Sequence, residues 1–374
     1  MSTLIYVIAA ILMLGIMVTV HEAGHFFAAR ATGIPVKEFA IGFGPKILTW
    51  KSKKHETQFF LRAIPAGGYC MFYGEDDTEG TEAKTDPRAI GNYAVWKRFI
   101  TILMGPMMNF ILALIAAALL FTLIGVQTGA DYRNDPAVRS VLSGSAAQAA
   151  GVRAGDKILT VNGQSAKGLT EDGTKLRVNA LIDSYDPAGL PLEITLQRGS
   201  DSLTVSVVPR YDEGEGRYLM GITLYSGYVP VFERVPLIRA IGMSAESCVD
   251  AAGQILGGLW NLVSRGEGLE ESMGPVGTIQ YIAEETQGST EISSQMVWYT
   301  YIELLVIISV NLGLFNLIPI PGLDGSRLIF LLIEAIRRKP VPQKVEAYVH
   351  MSGYLVLILL MVFMTSKDIL HIFQ

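Results

Sequence analysis

An uncharged apolar run extends from Leu4 to Val20, and the apolar pattern continues at helical spacing to about Ala31. Three more stretches are apolar enough to enter a bilayer. Phe99 to about Gln127 holds no charged residue, Met296 to about Ile318 holds only Glu303, and Met351 to about Thr365 is short for a span. Between the first two spans, Ile47–Trp50, Thr57–Leu61 and Gly68–Tyr73 are β-prone runs separated by Lys-rich or Pro-Gly turns, which predicts a small sheet or hairpin. Residues 135–163 read as strand, short helix, Gly155-Asp156 turn and strand, closed by Asn162-Gly163. From Pro236 to Arg265 apolar residues recur at helical spacing, with Arg239, Glu246 and Asp250 on the other face. Three internal charges argue against a fifth span and for a helix lying in the outer interface, Trp260 at headgroup level.

Composition agrees with this pattern. Of 374 residues 50% are hydrophobic, and the mean hydropathy is positive, as in a membrane protein that carries a soluble portion. A net charge of −5 gives no nucleic-acid signal. The N-terminus has neither a basic leader nor a small-residue cleavage site, so the first run reads as a retained helix. Eleven Lys and Arg lie between Arg30 and Arg98, and Arg337, Arg338, Lys339 and Lys344 follow the third span. Positive loops stay cytoplasmic, which places 33–97 and 335–350 inside and both termini and 128–295 outside. Cys70 and Cys248 then lie on opposite sides, so no disulfide is expected, and neither has metal-site spacing.

Chemistry enters with His21-Glu22-Ala23-Gly24-His25 at the end of the first apolar run. Positions i and i+4 share a helix face, so both imidazoles can point at one metal ion, with Glu22 beside it to take a proton from water. With five His in the chain, chance would produce this motif on the order of 0.004 times. Ionisable side chains at bilayer depth are costly and point to function. A catalytic zinc usually has three protein ligands, and the other histidines are poor candidates: His55 in a polar loop, His350 at a span boundary, His371 on the outer side. Asp324 follows an apolar helix broken by Pro319 and Pro321, and is either an inward-aimed carboxylate or a cap for the helix beginning at Ser326.

His-Glu-x-x-His in the first span, the 135–163 pattern and Asn316-Leu317-Ile318-Pro319-Ile320-Pro321-Gly322-Leu323-Asp324-Gly325 together resemble the site-2 protease family, in particular its bacterial regulator-of-sigma-E type. The likeness covers essentially the whole chain. It implies one zinc per chain held by His21, His25 and Asp324, with Glu22 as general base and Asn316 on the substrate backbone or the oxyanion. Gly105-Pro106-Met107-Met108-Asn109 is similar to the family's Gly-Pro-x-x-Asn segment and makes Asn109 a secondary site candidate. Met273-Gly274-Pro275-Val276-Gly277 is similar to a family stretch of structural character. The 128–228 segment resembles a circularly permuted PDZ domain, in which Leu219, Met220, Gly221 and Ile222 would be the peptide-binding loop and edge strand. A single PDZ pattern is found where some relatives have two.

The expected architecture is a polytopic α-helical membrane protein of four transmembrane helices, with a cytoplasmic-side β-sheet loop and an inserted extracytoplasmic α+β PDZ domain. Its segments are 1–32 (first helix), 33–97 (inner loop), 98–127 (second helix), 128–228 (PDZ domain), 229–295 (interfacial helix and linker), 296–334 (third helix), 335–350 (inner loop) and 351–374 (fourth helix and tail). The expected function is zinc-dependent intramembrane cleavage of single-span membrane proteins, such as an anti-sigma factor or remnant signal peptides, in a bacterial inner membrane. The free edge of the inner sheet could hold such a substrate as an added strand. The rival is a proteolytically inactive scaffold whose PDZ domain captures exposed C-termini.

Overall fold

The computed structural model describes residues 3–52, 56–75, 85–132, 134–171, 173–212, 216–225, 229–266, 272–290 and 292–372; His55 lies outside them. The chain forms two compact units: Met1–Ile124 with Arg234–Thr290 and Val297–Gln374, and Gly125–Glu233 with Glu291–Met296.

In the first unit, α1 (Thr3–Thr32) is followed by β1 (Val36–Lys51) and β2 (Gln58–Phe72), then by α2 (Val95–Leu123). The β pair is more than a hairpin. Residues 36–41 of β1 pair with 68–72 of β2 on one side and with 58–61 on the other, and 46–51 pairs with the outer side of 58–62. The result is a four-segment sheet ordered 68–72, 36–41, 58–62, 46–51. Three of these segments coincide with the β-prone runs of the sequence; 36–41 had no such signal. The bend inside β2 lies against α1, where a Cβ on Gly15 would overlap the Pro65 carbonyl. That glycine lets the sheet reach the helix about one and a half turns before His21.

Among the described residues four helices are long and apolar enough to cross a membrane, near Thr3–Thr32, Val95–Leu123, Ser294–Leu317 and Lys344–Leu370. All four correspond to the expected spans, and only the fourth differs markedly in length. The third span ends after Leu317, next to the expected Ile318 and at the expected proline break, because Pro319 and Pro321 offer no N–H; the next helix of the 296–334 segment begins at Asp324, two residues before the expected Ser326. The fourth is not short. It runs from Gln343 to Ile372, so residues 343–350 of the expected 335–350 loop belong to this helix, and Val345 and Glu346 both donate their N–H to the Pro342 carbonyl.

After the second unit the chain continues as α5 (Leu237–Arg265), α6 (Pro275–Ser289), α7 (Ser294–Leu317), α8 (Asp324–Arg337) and α9 (Gln343–Ile372). The amphipathic reading of α5 holds as a helix: Ala240 and Ser244 are buried, while Val249 and Trp260 are exposed. Helix α6 was missed, since its 15 residues carry no clear periodicity. It buries Ile282 against Ala10, Met13 and Met17 of α1. Its N-terminus is held by α9: Asp368 accepts the N–H groups of Gly274 (3.1 Å) and Gly277 (2.7 Å). A Cβ on either glycine would crowd that carboxylate, which explains the Gly-Pro-x-Gly spelling. Side-chain to backbone bonds tie the bundle together, from Tyr301 to Ala9 and from Ser309 to Asn109. Helix α8 is anchored by ion pairs from Arg98 to Glu334 (2.6 Å) and from Arg327 to Glu75.

The second unit contains β3 (Val126–Asp131), β4 (Ala137–Val141), α3 (Ala146–Ala149), β5 (Lys157–Val161), β6 (Gln164–Ser165), α4 (Arg177–Asp183), β7 (Leu192–Arg198), β8 (Asp201–Val207), β9 (Arg210–Asp212), β10 (Arg217–Leu219), β11 (Ile222–Tyr225) and β12 (Val229–Glu233). The main sheet has the order β11-β4-β5-β7-β8, with β6 on β5, so β11 is terminal on that path. The strand–helix–turn–strand order read from residues 135–163 is what forms. Ser145 caps α3 by accepting the Gln148 N–H, and Asn162 and Gly163 both take positive φ in the two-residue turn from β5 to β6. Asp156 is buried at the Gly-Asp turn, where Arg198 grips both carboxylate oxygens (2.7 and 2.8 Å) and holds its carboxyl below the usual range.

Candidate metal centre

Helices α1 and α2 approach closely around Gly24, where a Cβ would overlap the Met104 carbonyl. This close packing sets His21 and His25, both less than 10% exposed, against the polar groups of α2. His25 Nδ1 lies 2.9 Å from the Thr101 carbonyl oxygen, so Nδ1 carries the proton and Nε2 is left with its lone pair. A Cβ on Gly105 would overlap the His25 ring; only glycine leaves room there for the imidazole.

His21 Nδ1 faces the side-chain amide of Asn109 at 3.1 Å, and Asn109 is fully buried with its Oδ1 lacking a donor. If Nε2 of His21 is to bind a cation, Nδ1 must carry the proton. A half-turn of the Asn109 amide then brings Oδ1 to that proton and satisfies the orphaned oxygen. Thus the Gly105-Pro106-Met107-Met108-Asn109 segment serves both imidazoles, one by clearance and one by a hydrogen bond.

The third group comes from the other end of the chain. Asp324 opens α8, and its Oδ2 lies 3.0 Å from His21 Nε2 and 3.2 Å from His25 Nε2. Oδ2 is buried without a hydrogen-bond donor in suitable geometry. Two nitrogen lone pairs and a carboxylate oxygen thus face one another. At zinc–ligand distances of about 2.0–2.1 Å, neighbouring ligands of a tetrahedron lie roughly 3.3–3.4 Å apart, so the spacing found here fits a shared cation. Among the described residues this is the group of His, Cys, Asp and Glu side chains with metal-holding geometry. The set is three residues, which leaves a fourth position for water or substrate.

Glu22 does not join that set. Its Cγ lies beside Gly68, within 3.7 Å of where a Cβ would stand. The 68–72 segment of the sheet therefore runs past Glu22. Asn316 is placed near the end of α7 with its Nδ2 donating to the Leu312 carbonyl (2.9 Å). Leu219, Met220, Gly221 and Ile222 belong to the second unit, where the Met220 and Gly221 carbonyls accept the Ala147 and Leu142 N–H groups and Met220 joins the core. Sequence reasoning missed Thr101, Gly24 and Gly105. Thr101 acts through its backbone, so no side-chain signal exists for it.

If Asn109 sets the tautomer of His21, Asn109→Leu will weaken zinc binding by about 10–100-fold, whereas Asn109→Asp, which keeps an acceptor, will stay near the parent. Competition for zinc with a coloured chelator measures both.

Comparison with known proteins agrees with this geometry. A family model described as Peptidase family M50 matches residues 9–360. The chain is similar to the regulator of sigma-W protease RasP of Bacillus subtilis, 29% identical over 98% of this chain and 99% of that protein. It is also similar to the zinc metalloprotease RasP of Bacillus licheniformis, 30% identical over 98% and 99% of the two chains.

Proposed function

Because the chain belongs to peptidase family M50, the site-2 proteases, and is a zinc metalloprotease, we propose that it is an intramembrane endopeptidase that cuts single-span membrane proteins. The observation that carries this reading is the meeting of His21 Nε2, His25 Nε2 and Asp324 Oδ2 between membrane helices, with Glu22 beside them and a sheet segment alongside.

Each residue has a part. His21, His25 and Asp324 hold zinc, which when bound acidifies water and polarises a carbonyl. Glu22 takes the proton of the attacking water and passes it to the departing amine. Residues 68–72 align an extended substrate as an added strand, since a helix hides its scissile carbonyls. Asn316 contacts the substrate backbone or the developing oxyanion, and Asn109 acts from behind His21. The distribution of Lys and Arg puts the termini and residues 128–228 outside a bacterial inner membrane, and His21 and His25 towards the inner end of α1. Cleavage then falls in the cytoplasmic half of the substrate helix. The second unit is a permuted PDZ domain whose Leu219–Ile222 stretch leads into the terminal strand β11, the place for a captured peptide. Substrates by this reading are a trimmed anti-sigma factor or a remnant signal peptide; RasP of Bacillus subtilis is named as a regulator of sigma-W.

The test is reconstitution in liposomes with a single-span substrate and mapping of the cut by mass spectrometry. Chelation should abolish cleavage, zinc should restore it, and the cut should fall within the membrane segment. Cleavage confined to extramembrane loops would refute the intramembrane reading.

A further inference from the structure

The zinc ligand Asp324 stands at the end of a turn that has little to hold it. From Pro319 to Leu323 only Ile320, Gly322 and Leu323 possess an N–H. Two of these are used inside the turn, Ile320 to the Ile318 carbonyl (2.7 Å) and Leu323 to the Ile320 carbonyl (3.1 Å). The third leaves it. Gly322 donates to Nδ1 of His350, on α9, at 3.3 Å.

His350 is mostly enclosed, its side chain 12% exposed. The Ser326 hydroxyl, which also donates to the Leu323 carbonyl, lies 3.4 Å from the same Nδ1, and the Phe330 ring packs edge-on to the imidazole. Because Nδ1 accepts, Nε2 carries the proton; it faces the Glu346 carboxylate at 3.8 Å and has no closer partner. Further along the same face of α9, a Cβ on Gly353 would overlap the Pro321 carbonyl. A Cβ on Gly322 would lie 3.4 Å from the Tyr354 backbone nitrogen and 3.1 Å from Leu357. Residues 350, 353, 354 and 357 are spaced i, i+3, i+4 and i+7, so one stripe of the fourth membrane helix is seated on the ligand turn.

We propose that His350 is a positioning residue for the metal centre: by accepting the Gly322 N–H it fixes the Pro319–Leu323 turn and so the place of the Asp324 carboxylate. The inference rests on the reading of Asp324 as a zinc ligand. It gives the fourth span a share in the catalytic centre, although α9 contributes no ligand.

The experiment uses the full chain loaded with zinc in lipid nanodiscs and follows zinc transfer to a coloured chelator at neutral pH. His350→Ala should release zinc on the order of tenfold faster than the parent, as removal of a ligand's outer support does. His350→Asn, whose Oδ1 can accept the Gly322 N–H in place of Nδ1, should release it at nearly the parent rate. The zinc-free forms of both variants should unfold at the parent temperature, which a general packing defect would not allow. Equal release from His350→Ala and a zinc-bearing parent, or equal defects in the two variants, overturns this proposal alone. A parent protein that holds no zinc overturns the zinc reading and the proposal with it.

Discussion

Glu22→Gln will abolish cleavage while zinc stays bound. The substitution keeps the volume and the helix and removes only the ability to take a proton. Proton transfer by a positioned group contributes about 10²–10⁴-fold, so the variant should lose at least that much of kcat. Glu22 is not among the three converging donors, hence the zinc content per chain should match the parent's. Glutamine has the same length and bulk as glutamate, so the 68–72 segment beside the Glu22 Cγ should keep its place next to α1. The assay is cleavage of a single-span substrate in liposomes, with zinc measured on the same sample. Undiminished proteolysis by the variant would remove Glu22 from the mechanism and leave the scaffold reading to be tested.

The prediction was available from the sequence because a helix turns an i, i+4 spacing into a shared face; no long-range information was required for His21, Glu22 and His25. The four spans were legible for a related reason, since a bilayer filters composition by length alone. Asp324 needed the family resemblance, because nothing local distinguishes a ligand from a helix cap. What the chain did not disclose lies in close approaches and backbone contacts. Gly105 clears space for an imidazole of another helix, Thr101 offers only a carbonyl, and 36–41 becomes a central segment through pairings made on both sides. Helix α6 was hidden because its buried face is set by α1 and its start by Asp368, some 90 residues later. The helical start of α9 was obscured by charges that suggested a loop.

Asp324→Asn separates the two readings that the sequence left open. As a helix cap, asparagine is as good as aspartate, and the change would cost a few tenths of a kcal/mol at most, roughly the spread among good caps. As a zinc ligand, the same change removes the only negative charge of the set and replaces an anionic oxygen by a weakly donating amide. The geometry favours the second case. Asp324 is the first residue of α8 rather than its cap, the preceding Leu323 makes no side-chain capping bond, and Oδ2 points at two imidazole nitrogens. The expected result is a fall in zinc affinity beyond the ~10–100-fold that an outer-shell partner is worth, with cleavage lost in parallel. Excess zinc should restore part of the activity, because His21 and His25 keep their Nδ1 partners on α2 and still present both Nε2 atoms. Zinc per chain against free zinc concentration measures the affinity, and unchanged helix content in the zinc-free variant shows that α8 still forms. A variant that binds zinc like the parent would return Asp324 to the role of a helix start and leave the centre with two protein ligands.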